Sequence, residues 1–414
     1  MRILIAPDKF KGTLTQRQAC AAIRRGAENA AREAGIRVEF DEGPVADGGE
    51  GTLEVVTSAQ RAEFHRRRVL GPDGERRVDA QSCSWTGEGG ERYCLIESAR
   101  CIGLALVDQP DPENATSFGL GELIRSETAD DHTVIVGLGG SATTDGGVGM
   151  AQGCGVEFGT DPSITREKPA KREHEPDGSC ESHPARHWKE HVLRGRDLLS
   201  IRSIVRVPSL RAPSSSARRL IALCDVQNPL LGPRGAARMF GPQKGATPEQ
   251  VERLEAGLEN LVRVCRECNI PCDPDQLGAG AAGGLGFGLA TFLGAKLVPG
   301  APYILDLLNF DERCKQADLV ITGEGRMDMQ TAEGKACAEV AKRAERAAKP
   351  CIAVVGTTDG EPADLQHALE GHAIRFHSIR RVSDSALTPI QGKEVHADRL
   401  ADAARVALLA FLGA

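Results

Sequence analysis

The sequence predicts an α/β protein of two domains: a discontinuous Rossmann-like domain built from both chain ends, with a second α/β domain inserted between them. Three observations carry this. Short aliphatic runs alternate with Ala-rich amphipathic stretches in residues 1–64 and 290–414, and the middle of the chain breaks that rhythm. Glycine is abundant at 47 residues while aromatics make up 4%, which suits tight strand-to-helix turns. The length of 414 residues exceeds what one core normally organises. The inserted domain is expected over 65–289, with a polar surface insertion at about 160–215.

Arg2 to Ala6 reads as the first strand, followed by a loop from Pro7 to Thr13. Thr15 and Gln18 have capping-box spacing ahead of a helix whose Ala19, Ala22, Ile23, Ala27 and Ala30 share one face, and Gly35 closes it. A strand is expected near Val38–Phe40, then the loop Ala46 to Thr52. Residues 64–97 read as antiparallel strands with turns at Pro72-Asp73-Gly74 and Gly87–Gly90. A helix at 117–128 and a β-branched strand, Thr133 to Val136, follow. Residues 160–195 are charged and Pro-containing, and 208–219 are rich in Ser, Arg and Pro; both read as surface loops. Strand 220–224, an amphipathic helix at 248–268 and the Gly-rich segment 278–288 come next. The chain then resumes its alternation: strand 318–322, helix 333–347, strand 351–355 and helix 397–412.

A net charge of −7 with interspersed signs leaves no electrostatic footprint for nucleic acid and no polybasic membrane patch. The apolar start is broken at once by Pro7-Asp8-Lys9, unlike a secretory signal. The uncharged run between Ala279 and Ala295 is too glycine-rich for a membrane span. The 13 cysteines are scattered in apolar patterns and read as reduced, buried thiols, which places the protein in the cytoplasm.

Residues 137–147 read Gly-Leu-Gly-Gly-Ser-Ala-Thr-Thr-Asp-Gly-Gly, directly after a strand. Glycines let backbone amides approach an anion, and Ser141, Thr143 and Thr144 add hydroxyls. A carboxylate there, Asp145, would repel bare phosphate; it suits holding Mg²⁺ or accepting a proton. A tight turn without ligand is the alternative. Three further strand-end loops carry carboxylates beside glycines or bases: Asp8 with Lys9 and Lys11, Asp47, and Glu324 with Arg326 and Asp328. Ligands of open α/β sheets bind beyond the carboxyl ends of the strands, so these loops are expected to share a cleft.

Other motifs are set aside. Gly278, Gly280 and Gly283 match a dinucleotide fingerprint, but no strand is expected before them. A P-loop and a Gly-x-Ser-x-Gly elbow are absent. Cys265, Cys268 and Cys272 lack a fourth zinc ligand nearby. His183, His187 and His191, with His174 and Cys180, read as a solvated face. The remaining polar chemistry of carboxylates, Lys/Arg and hydroxyls is the set that kinases of alcohols use with MgATP.

Taken in order, Ala6–Gly12, Ala46–Thr52, Gly137–Gly147, Cys224–Gly232, Phe240–Ala246, Gly278–Gly286 and Ile321–Asp328 make the chain resemble the type I glycerate kinases along nearly its whole length. The resemblance implies ATP- and Mg²⁺-dependent phosphorylation of D-glycerate, usually on the 2-hydroxyl, by a two-domain enzyme; it allows a homodimer. The chain departs from the family with Lys9 in place of Ser, Gln227 in place of Asp and Thr144 in place of Asn.

On this reading MgATP lies between the domains, with Gly139, Gly140, Ser141, Thr143 and Gly146 around its phosphates. Lys11 and Lys244 neutralise transferred charge. Asp8, Glu324 and Arg326 serve the substrate, Arg326 by pairing with its carboxylate. Asp47 or Asp145 is the base, and Asp145 and Asp225 are candidates for metal. Domain closure would exclude water. The alternatives are a kinase of another small hydroxy acid, phosphorylation of the 3-hydroxyl, or a nucleotide-binding protein without activity.

Overall fold

The structure, a computed structural model, describes residues 1–127, 133–161, 191–207, 219–382 and 392–413. The expectations for the His-rich stretch, apart from His191, and for residues 208–218 lie outside the described residues. The chain divides into two compact units, Met1–Glu63 with Leu223–Val226 and Val298–Ala414, and Phe64–Ala222 with Gln227–Leu297. The second junction therefore falls at 298 and not at 290. A short return, Leu223–Val226, was invisible as a boundary because it is the end of a strand that starts in the other unit.

The first unit is a five-stranded parallel sheet. Its spatial order is Ser378–Arg381, Cys351–Val355, Leu319–Gly323, Arg2–Pro7, Glu39–Glu42. Numbered along the unit this is 2-1-3-4-5, the flavodoxin-like member of the doubly wound class. Ile3, Ile5, Ile321, Ile352 and Val354 bury one face against helices Gln16–Glu33 and Lys393–Leu412. Helix Ala336–Arg346 packs on the sheet beside Gly300–Leu307 and Phe310–Gln316. The strands read as continuous apolar runs because both faces are covered. The capping box forms as expected: Gln18 N donates to Thr15 Oγ1 at 3.3 Å and Thr15 N to Gln18 Oε1 at 3.0 Å.

This order has one consequence for function. Arg2–Pro7 and Leu319–Gly323 are neighbours whose chains leave the sheet in opposite senses, so the crevice at their carboxyl ends is the topological switch point where doubly wound folds bind ligands. Asp8 and Glu324 are the next residues after these two strands.

The second unit holds a six-stranded mixed sheet in the order Lys296–Pro299, Leu220–Cys224, Thr133–Leu138, Arg92–Glu97, Arg77–Thr86, Glu63–Leu70. Arg92–Glu97 pairs antiparallel with Arg77–Thr86 and parallel with Thr133–Leu138. Its helical core gathers Val148, Leu198, Ile201, Leu254, Leu258, Leu261 and Phe287. Helix Pro248–Glu267 starts with a second capping box, Thr247 with Gln250.

Part of the predicted polar insertion is ordered structure. Gly195–Ser200 forms a 3₁₀ turn, and Ile201–Arg206 pairs antiparallel with Glu157–Thr160. Leu198 and Ile201 are fully buried; the run of charges and prolines ahead of them masked this short apolar segment. Helix 333–347 starts at Ala336, after a 3₁₀ turn at Met329–Glu333, and the last helix starts at Lys393. Among the described residues no helix is long and apolar enough to cross a membrane.

Candidate active site

In the second unit, strand Thr133–Leu138 runs into the glycine loop, and the loop turns inward. Gly139 is half-buried and Gly140 exposed, but Ser141 is 1% exposed and Thr143, Thr144 and Asp145 are fully buried. Hydroxyls expected around a phosphate chain thus serve the protein first. Thr143 Oγ1 donates to Ala115 O at 3.4 Å, and Ser141 Oγ accepts from Lys244 Nζ at 3.0 Å. Lys244 also donates to Thr143 O at 2.6 Å. Lys244 is only 3% exposed, and burial pushes its ammonium down to about 7, with Asp145 pulling the other way. The lysine is a charge beneath the loop, not a finger reaching out of it.

Asp145, expected as a base or metal ligand, is enclosed by protein donors. Its Oδ2 accepts from Ser117 N at 2.8 Å, Ser117 Oγ at 2.7 Å and Gly149 N at 3.2 Å, and Oδ1 accepts from Gly147 N at 3.0 Å. Burial pushes its carboxyl up, against these bonds. Fully buried, with both oxygens bonded to protein donors, this carboxylate holds the loop onto the start of helix Val148–Gly153. An Asp145→Asn protein is expected to lose roughly 2 kcal/mol or more of stability, because the new amide would face donors. A lower urea midpoint at unchanged m-value checks this; an unchanged midpoint returns Asp145 to the chemistry.

The Gly278–Gly286 segment explains itself at the same place. Ala282, Gly283 and Gly284 are all left-handed, with φ of 53°, 75° and 89°. Gly283 O accepts from Gly146 N at 3.1 Å. A Cβ on Gly283 would stand 2.1 Å from Thr143 O and 2.9 Å from Lys244 Nζ. These glycines are the backing plate of the 137–147 loop. No strand precedes them, so the fingerprint is not a dinucleotide site.

In the first unit, Asp8, Asp47, Asp225 and Glu324 converge at the carboxyl ends of the strands. Asp8 accepts from Lys9 N at 2.6 Å and Gln16 Nε2 at 3.5 Å. Burial, then the charge of Asp47, pushes the Asp8 carboxyl well above its ordinary range. The same two causes push Asp225 up to about 7. Burial pushes Glu324 up to about 7, opposed by Lys335 and by a 3.0 Å hydrogen bond from Thr331 Oγ1. Asp47 accepts from Gly49 N at 2.9 Å. Its loop abuts helix Gly300–Leu307 so closely that a Cβ on Gly300 would come within 1.7 Å of Asp47 O.

The basic residues divide. Lys9 Nζ donates to Glu50 O at 2.9 Å, and Lys11 is exposed. The Arg326 side chain is 65% exposed, with Asp328 at 3.6 Å and Asp359 at 3.8 Å. Lys335, which sequence reasoning missed, lies 3.9 Å from Glu324 and 3.5 Å from Asp328. Its signal was a lysine where a helix normally starts with Ser, Thr, Asp or Asn. Ser117, the partner of Asp145, left no signal at all.

No group of three or more His, Cys, Asp or Glu side chains among the described residues is arranged to hold a metal. Magnesium does not need such a set: it binds through one or two carboxylates and completes its shell with phosphate and water oxygens. The paired acids Asp47 and Asp225 meet that requirement.

The profile of the glycerate kinase family matches residues 3–168 and 187–402. The chain is 36% identical over 379 residues to a glycerate kinase of Halalkalibacterium halodurans, and 35% identical over 374 residues to the glycerate 2-kinase of Escherichia coli K12, with 89% of each chain covered in both cases. A solved structure described as a glycerate kinase 2 of Salmonella typhimurium LT2 superposes with a TM-score of 0.74 at 32% identity, covering 100% of this chain and 98% of the other.

Proposed function

This chain belongs to the glycerate kinase family, and we propose that its two residue clusters divide the phosphorylation of D-glycerate between them, the glycine loop serving ATP and the acidic cluster serving the sugar acid. The protein is a glycerate kinase that uses ATP. The observation that carries the division of labour is the placement of Asp8 and Glu324 at the switch point of a parallel sheet, with Asp47 and Asp225 beside them.

Glu324 is the base. It is buried, fixed by Thr331, and titrates near the pH at which it must take a proton. The substrate hydroxyl oxygen forms the new bond to the γ-phosphorus as the bond to the β,γ-bridging oxygen breaks. The hydroxyl proton passes to Glu324, and ADP leaves. Asp47 and Asp225 would hold Mg²⁺, which when bound offsets phosphate charge. In the other unit the Gly139-Gly140 tip meets the phosphate chain, and Lys244 supplies positive potential from beneath. The Lys11 backbone abuts Gly325, and its exposed side chain adds a positive charge to this loop.

The E. coli relative is named a 2-kinase, which supports the 2-hydroxyl as acceptor here. Incubation of the purified protein with MgATP and D-glycerate is expected to yield ADP and 2-phosphoglycerate by NMR. The 3-phospho isomer as the product would refute the regiochemistry, and no turnover would refute the enzyme.

A further inference from the structure

We propose that Lys335 binds the carboxylate of the sugar acid and thereby selects the hydroxyl that Glu324 deprotonates. The proposal rests on the reading of Glu324 as base.

The first support is a broken local rule. Lys335 is the N-cap of helix Ala336–Arg346, in extended geometry at φ −65° and ψ 158°, the side chain making no cap bond. A cation is the least favourable choice there, since the N-cap calls for a short acceptor and the helix start is itself positive. Rules of this kind are broken at functional positions.

The second support is what the ammonium touches. Lys335 Nζ lies 3.9 Å from Glu324 Oε2 and 3.5 Å from Asp328 Oδ1, and among the described residues it makes no hydrogen bond. Its side chain is 30% exposed. Three donors are therefore held in place by charge alone and stay open to an anion. The other cations fit less well. Lys9 is bonded to Glu50 O, and Arg326 is turned outward towards Asp328 and Asp359.

The third support is the chemistry of the substrate. In D-glycerate the 2-hydroxyl is on the carbon that bears the carboxylate, and the 3-hydroxyl is one carbon further. A base and a carboxylate-binding cation that are direct neighbours fit the 2-hydroxyl. Lys335 is thus a specificity-determining residue.

The test compares wild type, Lys335→Met and Lys335→Arg with D-glycerate and with its uncharged carboxamide. Lys335→Met is expected to raise KM for D-glycerate at least tenfold, leave KM for ATP unchanged, and match wild type on the carboxamide; Lys335→Arg is expected to restore most of the D-glycerate affinity. A D-glycerate KM within twofold of wild type, or an equal loss on both substrates, overturns the proposal. Should Lys335→Met fail to fold, Lys335→Gln keeps a donor without the charge and carries the same comparison. Wild type inactive on D-glycerate would sink the kinase reading and this inference with it, whereas an active wild type and an indifferent Lys335→Met sink the inference alone.

Discussion

Lys244→Met is expected to cut kcat/KM for ATP by about 10²- to 10³-fold, the scale of removing one preorganised charge partner from a phosphoryl-transfer site. The lysine is almost wholly buried, so its effect runs through the loop: it ties Ser141 Oγ to Thr143 O and places a charge under the Gly139-Gly140 tip. The variant also carries a stability signature. The ammonium titrates at about 7 in the fold against 10.5 in the open chain. Between those values the unfolded chain holds a proton that the fold has released, so wild-type stability rises with pH, by up to about 1.4 kcal/mol per pH unit from this group. Urea titrations at several pH values are expected to show the wild type gaining on Lys244→Met from about pH 7 towards 10.5. Parallel stability curves, or an unchanged kcat/KM, would remove the buried charge from the argument.

Glu324→Gln is expected to lower kcat by about 10²- to 10⁴-fold, the contribution of a positioned general base. The amide keeps the size and can still accept from Thr331 Oγ1, so KM for ATP should hold. A base must be unprotonated, so wild-type kcat should rise as pH climbs through about 7. That acidic limb should vanish in the variant. A variant with wild-type kcat, or one that keeps the limb, would transfer the role to Asp8 or Asp225.

The two clusters differ in how well the sequence announced them. A carboxylate at the end of an apolar run is visible as such, and Asp8, Asp47 and Glu324 were candidates for that reason. Their convergence needed the strand order, because Pro7 and Gly323 are adjacent only across a sheet register that no local pattern reveals. Asp145 shows the opposite case. A carboxylate among glycines looks the same whether it faces a ligand or backbone amides, and the group that decides between them, Ser117, is 28 residues away in the chain. The Gly278–Gly286 segment was legible as a Gly-rich loop, yet its contacts with Thr143 and Gly146 were not. Local chemistry was therefore readable, and pairing across the chain was not.

The strand order also dictates a history for every newly made chain. Arg2–Pro7 stands in the middle of its sheet, between Glu39–Glu42 and Leu319–Gly323. During synthesis the early partner emerges at once, while the later one waits for the whole of the inserted unit. For that interval Ile3, Leu4 and Ile5 belong to a strand with one open edge and no helix Lys393–Leu412 to cover it, the kind of surface that recruits other chains. The inserted unit, complete by Leu297 except for a strand end lent to its neighbour, has no such wait. The same carboxyl-terminal segment that ends this vulnerability brings Glu324 and Lys335 to the site.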